Sequence, residues 1–418
     1  MTERETDQHP SLILRLLMQS PTIFLSTLTV ILISRALGPV GRAEVSQTLL
    51  VTNLASSILC IPIFLTLMNV QNTIVASAYI KRSIFLLSWR NLATIAALDI
   101  SFYVLNRGES QNTVLLMLAL VNTLFVLYFI ASQLRDFLLR INRNEIYILD
   151  FIIQIMILVL FLTSLNLQLV NTRLVILIFV FSYSGYTFIL LIVLKFQFKV
   201  LNFHNLFFKF NSKEINLAVT KMQSSFAASG ILFQIALSKD AILGIVFLSK
   251  SNFGLMSALA SFWIVIRFLR PMTVLQNSLR DPNIDSLGVE LKEKSFFNRV
   301  SSHANGFQAF AIFCTGIFGF FLTPKLMGAE FKANLWTSIC GVFAEVMLMR
   351  CLYLFSIRKV SSYHRRYFLY LGVLQFMLLF MMKSLGNDIE ISTIWFSSIL
   401  LYAILLFALR RSPKLKVT

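Results

Sequence analysis

The sequence predicts an all-α polytopic membrane protein with about twelve transmembrane helices. Three observations predict it. Hydrophobic residues make up 57% of the 418 positions and charged residues only 13%, against about 45–50% and about 25% in soluble domains. Mean hydropathy is +0.76. The apolar residues form runs of the length a helix needs to cross a bilayer, about 20 residues, and Lys and Arg punctuate the ends of those runs.

The runs fall at approximately 12–36, 44–67, 84–105, 112–134, 146–166, 174–195, 214–238, 251–279, 298–322, 332–356, 366–384 and 389–410. The seventh and eighth are the least regular. Residues 241–248 are apolar too, so the seventh can run on, broken near Lys239-Asp240. Orientation follows from the basic residues. Alternate connections and the tail are rich in them, as at Arg135, Arg140 and Arg143, or at Lys195, Lys199, Lys209 and Lys213. The intervening connections carry one or two each: Arg42, Arg107, Arg173, Lys239 with Lys250, Lys325 with Lys332, and Lys383. Both termini are therefore expected in the cytoplasm. Residues 201–214, rich in Phe and Lys, read either as an amphipathic segment at the inner interface or as a plain basic loop.

The net charge of +18 would suggest nucleic acid in a soluble protein. Here the basic residues are dispersed between spans, and no nucleic-acid partner is expected. Cys60, Cys314, Cys340 and Cys351 form no CxxC pair and read as buried apolar thiols. His9, His204, His303 and His364 show no metal-ligand spacing. The polar, acidic N-terminus lacks a basic signal-peptide region, so the first helix is expected to stay in the mature protein. No P-loop, GxSxG elbow or HExxH occurs. Connections are too short for the large outer loop of a membrane polymerase or glycosyltransferase. The chain is therefore expected to be a transporter with no cofactor and no metal, and not an enzyme.

An ionisable group deep in a span costs roughly 2.5–3.5 kcal/mol on insertion scales and marks a candidate site. Lys221 in the seventh span and Arg267 and Arg270 in the eighth come to a similar depth in the inner half, with Pro271 able to kink the helix. On a common cavity they would grip an anion, Arg in a bidentate fork and Lys as a point charge. The plainer alternative is snorkelling to inner headgroups. Asp99 and Glu345 are candidates for proton or sodium coupling, or simply balance a neighbouring Arg. Gln19, beside Ser20 and Pro21, and Asn53, beside Thr52, are polar patches that either line a cavity or join helices by hydrogen bonds.

The stretch Ser34-Arg35-Ala36-Leu37-Gly38-Pro39-Val40-Gly41-Arg42-Ala43-Glu44 resembles the S-R-x-L-G-P-x-G-R-G-E that ends the first helix of polysaccharide flippases. These belong to the multidrug/oligosaccharidyl-lipid/polysaccharide (MOP) superfamily, whose drug-exporting branch is MATE. Ala43 replaces the last glycine. Two further echoes resemble that family. One is Lys239-Asp240-Ala241-Ile242-Leu243-Gly244 followed by Gly254-Leu255-Met256-Ser257-Ala258, with Met256 at the usual tyrosine. The other is Met327-Gly328-Ala329-Glu330-Phe331-Lys332. Gly38-Pro39 ends a helix and Gly41 permits a tight return, while Arg35 and Arg42 either anchor the turn to headgroups or meet a departing diphosphate.

The resemblance implies two six-helix lobes around a central cavity: residues 1–200, a cytoplasmic connection over 201–213, and residues 214–418. It implies alternating access in a bacterial inner membrane. It also implies an undecaprenyl-diphosphate-linked oligosaccharide as substrate, for O-antigen or another surface polysaccharide; the cations singled out above, Lys221, Arg267 and Arg270, with Arg35 or Arg42, are then the residues expected on the diphosphate. Membrane lipids, a polysaccharide polymerase and a chain-length regulator are the further partners it suggests. The rivals are a cation-coupled multidrug exporter of the same superfamily and a membrane-embedded polymerase or glycosyltransferase. The first span carries no acid, as a drug exporter's usually would.

Overall fold

The computed structural model describes residues 12–69, 89–105, 111–140, 145–198, 238–262, 319–357 and 362–411. All regular structure among them is helical. The first helix, α1 (Leu12–Asn69), has 58 residues. A straight rod of that length would measure about 87 Å, far beyond the roughly 30 Å of hydrocarbon. It breaks at Gly38, where φ is 66° and ψ is −177°. That is left-handed backbone which a side chain rarely adopts. Pro39 follows at the start of the second half, where its missing N–H is not needed. The break separates the first two predicted spans at the quoted motif.

The other helices follow the apolar runs: α2 (Trp89–Leu105), α3 (Gln111–Arg140), α4 (Glu145–Asn166), α5 (Thr172–Phe198), α6 (238–247), α7 (Lys250–Phe262), α8 (319–327), α9 (Leu335–Ile357), α10 (Ser362–Ser384) and α11 (Ile391–Arg411). A 3₁₀ turn, Ala329–Phe331, links α8 to α9. Local chemistry fixes several starts. Asn171 Oδ1 accepts the Leu174 N–H at 2.9 Å, and Asn334 Oδ1 accepts the Thr337 N–H at 2.7 Å. Each is an N-cap that satisfies an otherwise orphaned donor.

Among the described residues, five helical stretches are long and apolar enough to cross a membrane: Pro21–Ser57, which contains the Gly38 break, Gln111–Arg135, Ile146–Asn166, Thr172–Leu194 and Ile391–Ala408. Large apolar side chains such as Phe181, Phe188, Phe380 and Phe407 point outward. In water they would be a liability; against lipid they are the expected surface. The protein is a multi-pass membrane protein.

Packing gathers into two main clusters. One joins Ile33 and Val45 of α1 to α3, α4 and α5 around Leu134, Ile157, Phe161 and Leu190. The other joins α6, α7, α9, α10 and α11 around Trp395, Ile394, Val342 and Phe247, and it also takes in Ala43 of α1. The connection predicted over 201–213 lies outside the described residues. Two polar contacts lock the first cluster. Arg135 forks onto Asp150, its Nη2 2.8 Å from Oδ2, and Tyr186 donates to Asp150 Oδ1 at 2.5 Å. These tie α3, α4 and α5 together.

One expectation is corrected. The basic-residue count placed Lys239 in the connection after the seventh span. The chain is instead helical from 238 to 247, and Lys239 is 8% exposed, held between α10 and α11. The turn comes at Leu248-Ser249.

Candidate functional site

The three stretches that resemble one another's family meet in space. The Gly38–Glu44 turn of α1 sits on the start of α7, and the 3₁₀ turn after α8 closes against the same place. The approach is closest at Gly254, where an added Cβ would lie 1.8 Å from the Pro39 carbonyl oxygen and 2.6 Å from its carbon. Only glycine allows the two backbones to seat. At Gly38, a Cβ would come 2.9 Å from the Glu330 carboxylate. Met327 and Phe331 pack with Ala258 against Val30 and Ile31 of α1.

Polar contacts run along this seam. Arg42, 7% exposed, donates from Nη2 to Ser261 Oγ at 3.2 Å. Its Nε has no hydrogen-bond partner, and no carboxylate pairs with it among the described residues. Ser46 and Ser257 share a hydroxyl–hydroxyl bond at 2.5 Å. Lys250 Nζ lies 3.3 Å from Glu44 Oε1, with both side chains partly exposed. A neutral hydrogen bond contributes about 0.5–1.5 kcal/mol net, and an exposed ion pair about 0–1 kcal/mol. The seam is therefore closely fitted but weakly bonded.

A second polar site lies within the other cluster. Lys239 Nζ donates to Gln375 Oε1 at 2.5 Å and to Ser398 Oγ at 3.1 Å. It pairs with Asp240 Oδ1 at 3.3 Å and sits 4.6 Å from the centre of the Tyr402 ring. Ser398 donates to Asp240 at 2.6 Å, and the Gln375 amide donates to Ser397 at 2.7 Å. A buried charge is tolerated only when paired and fully hydrogen-bonded, and here it is both. Sequence reading missed this site. The available signal was lone polar residues, Gln375 and Ser397-Ser398, inside otherwise apolar runs.

The other sequence candidates divide as follows. Arg35 is exposed, unlike Arg42. Asn53 is exposed on α1, where its Oδ1 accepts from Ser57 at 3.4 Å. Asp99 accepts from the Asn122 amide at 2.8 Å, joining α2 to α3. Glu345 is buried in α9. Lys221, Arg267 and Arg270 lie outside the described residues, as does the side chain of Gln19. No group of three His, Cys, Asp or Glu side chains suited to a metal occurs among the described residues.

Neither a known family profile nor a curated protein matches this sequence. Solved structures do match its fold. An inward-facing multidrug resistance MATE family transporter of the MOP superfamily superposes with a TM-score of 0.66 at 11% identity, covering 93% of this chain and 94% of that one. An outward-facing conformation of such a transporter gives 0.60 at 13%, covering 96% and 94%. A Vibrio cholerae MATE transporter gives 0.55 at 13%, covering 96% and 97%. At these identities the likeness is one of fold: the chain is built like the MATE transporters of the MOP superfamily over nearly its whole length.

Proposed function

We propose that the protein is a flippase that carries an undecaprenyl-diphosphate-linked oligosaccharide from the inner to the outer leaflet of a bacterial inner membrane. The observation that supports it most is Arg42, a buried cation that donates to one neutral partner, Ser261, and pairs with no carboxylate among the described residues. Such a group suits an anionic headgroup and repels a cationic drug. The motif that carries Arg42 is also the stretch most similar to the flippase pattern. In this reading Lys221, Arg267 and Arg270 hold the diphosphate in the cavity, and Asp99 and Glu345 are the candidates for ion coupling. A cation-coupled multidrug exporter is the second reading, because neighbours of this fold are described as multidrug resistance transporters.

In a deletion strain, single lipid-linked repeat units are expected to accumulate out of reach of a periplasmic ligase or an impermeant sugar-modifying reagent. The wild-type gene restores access. Units that reach the periplasm but never form long chains would point to a polymerase. Unchanged access together with new sensitivity to cationic drugs would replace this function with drug export. Within the flippase, Lys221→Ala and Arg267→Ala are each expected to impair export while leaving the protein in the membrane. Full export in both single variants and in the double would remove these residues from the substrate site.

A further inference from the structure

Asp99 is an acid at membrane depth with no cation beside it. It lies in α2, about 15 Å from one end of the helix and about 9 Å from the other at 1.5 Å per residue. Both distances keep it inside roughly 30 Å of hydrocarbon. Among the described residues no Lys, Arg or His pairs with it, and its hydrogen bond is the one from Asn122 Nδ2 of α3 to Oδ1, at 2.8 Å. The same amide has an unmet side. Asn122 Oδ1 is buried and accepts no hydrogen bond.

The surroundings give neither group another partner. The side chains packed between α2 and its neighbours are apolar: Val51 and Ala55 of α1, and Met117, Val121 and Phe125 of α3. Titratable groups on these helices are engaged elsewhere or face outward. Arg42 and Glu44 of α1 belong to the seam, and Cys60 donates to the Phe129 carbonyl. Tyr128 of α3 packs on Tyr183, Arg135 is held by Asp150, and Tyr103 of α2 is exposed. An ionised carboxylate only accepts, and so does an amide oxygen. With Asp99 ionised, Asn122 Oδ1 therefore has no donor. An unionised carboxyl has one O–H to give. Edge to edge with a primary amide it makes two bonds in one ring: amide N–H to one carboxyl oxygen, and carboxyl O–H to the amide oxygen. The first of these bonds is present. The second requires one proton, and it meets the orphaned acceptor. A hard metal cation takes a fuller shell of oxygens than this pair offers.

We infer that Asp99 and Asn122 form a proton-binding site, in which Asp99 carries the proton and the Asn122 amide holds it, and that this proton is the ion coupled to transport. A route to it exists from one side. A cavity of about 370 Å³, lined in part by Phe102, Val114 and Met117, lies where α1 meets the end of α2 and the starts of α3 and α5. By the Lys and Arg distribution this is the outer face. Phe102 is about one helical turn outward of Asp99, so the cavity brings the outer phase close to the pair. The site stands on this geometry, whereas its coupling role rests on the flippase reading.

The test is infrared difference spectroscopy on the full-length purified protein in detergent, which does not require flipping. Spectra of wild type minus Asp99→Asn, taken from mildly acid to mildly alkaline pH, isolate the Asp99 carboxyl. A protonated-carboxyl band that gives way to carboxylate within that range is expected, and Asn122→Leu should shift it. Carboxylate at every pH overturns the site, as does a band that Asn122→Leu leaves unchanged. A carboxylate band that moves when sodium replaces choline overturns the proton in favour of a metal cation. Asp99→Asn also keeps the size and both hydrogen bonds of the protonated pair but has no proton to release. It should therefore hold the wild-type thermal midpoint and lose most export in the leaflet assay, while Asp99→Glu retains part of it. Full export by Asp99→Asn overturns the coupling. A wild-type protein that shows the band but fails the leaflet assay keeps the proton site and counts against the flippase reading.

Discussion

Gly254→Ala is expected to abolish transport while leaving the protein folded in the membrane. The new Cβ would sit 1.8 Å from the Pro39 carbonyl oxygen, whereas real Cβ contacts essentially never fall below 3.0 Å. The obstacle is backbone, so no rotamer change relieves it. The Gly38–Glu44 turn or α7 must withdraw, and the Arg42–Ser261 and Ser46–Ser257 bonds stretch with it. Overpacking costs about 1–3 kcal/mol, which shifts a two-state equilibrium about 5- to 150-fold. Ser257→Cys should therefore react faster with an impermeant thiol reagent in the Gly254→Ala background than alone. Gly319→Ala is the control, since a Cβ there finds nothing nearer than 3.8 Å. Normal transport together with unchanged labelling in Gly254→Ala would show that the seam does not gate the cycle.

Lys239→Ala is expected to produce the largest loss of stability, about 3–5 kcal/mol, the usual result of stripping one partner from a buried ion pair. Asp240 would keep the Ser398 hydroxyl but lose its counter-charge, and Gln375 Oε1 would lose its donor. The double variant Lys239→Met with Asp240→Asn removes both charges at similar volume and should recover most of the loss. The thermal midpoint in detergent reads both. A wild-type midpoint in Lys239→Ala would mean that the network carries no net stability. A double variant no better than the single would mean that shape, and not charge, holds α6, α10 and α11 together.

Much of this fold was legible in the sequence because bilayer thickness imposes one length scale on every span. The starts of α4, α5 and α9 fall within a few residues of the predicted runs. Gly38-Pro39 marked the break in α1 for a local reason, the backbone geometry that only glycine adopts freely there. Lys239 was misplaced for the converse reason. A cation inside an apolar run reads as the end of the run, and apart from the neighbouring Asp240 the oxygens that satisfy it belong to residues 136 and 159 positions away. The seam was hidden in the same way. Its three motifs were each visible, but their meeting depends on contacts such as Arg42 to Ser261, 219 positions apart. Distinguishing Arg42 from Arg35 also needed coordinates, since both flank one turn in the sequence and only one is buried.

The seam also sets an order of manufacture. The Pro39–Ser46 surface emerges from the ribosome long before α7 exists to cover it. Ser46 and Ser257 are 211 residues apart, so at about 5–20 residues per second the wait is roughly 10–40 s. Through that interval the N-terminal helices sit in the bilayer with Arg42 lacking its Ser261 contact and a glycine-shaped socket empty. The first half of the chain therefore cannot complete this surface by itself: its closing partner is supplied only when α7 has been made.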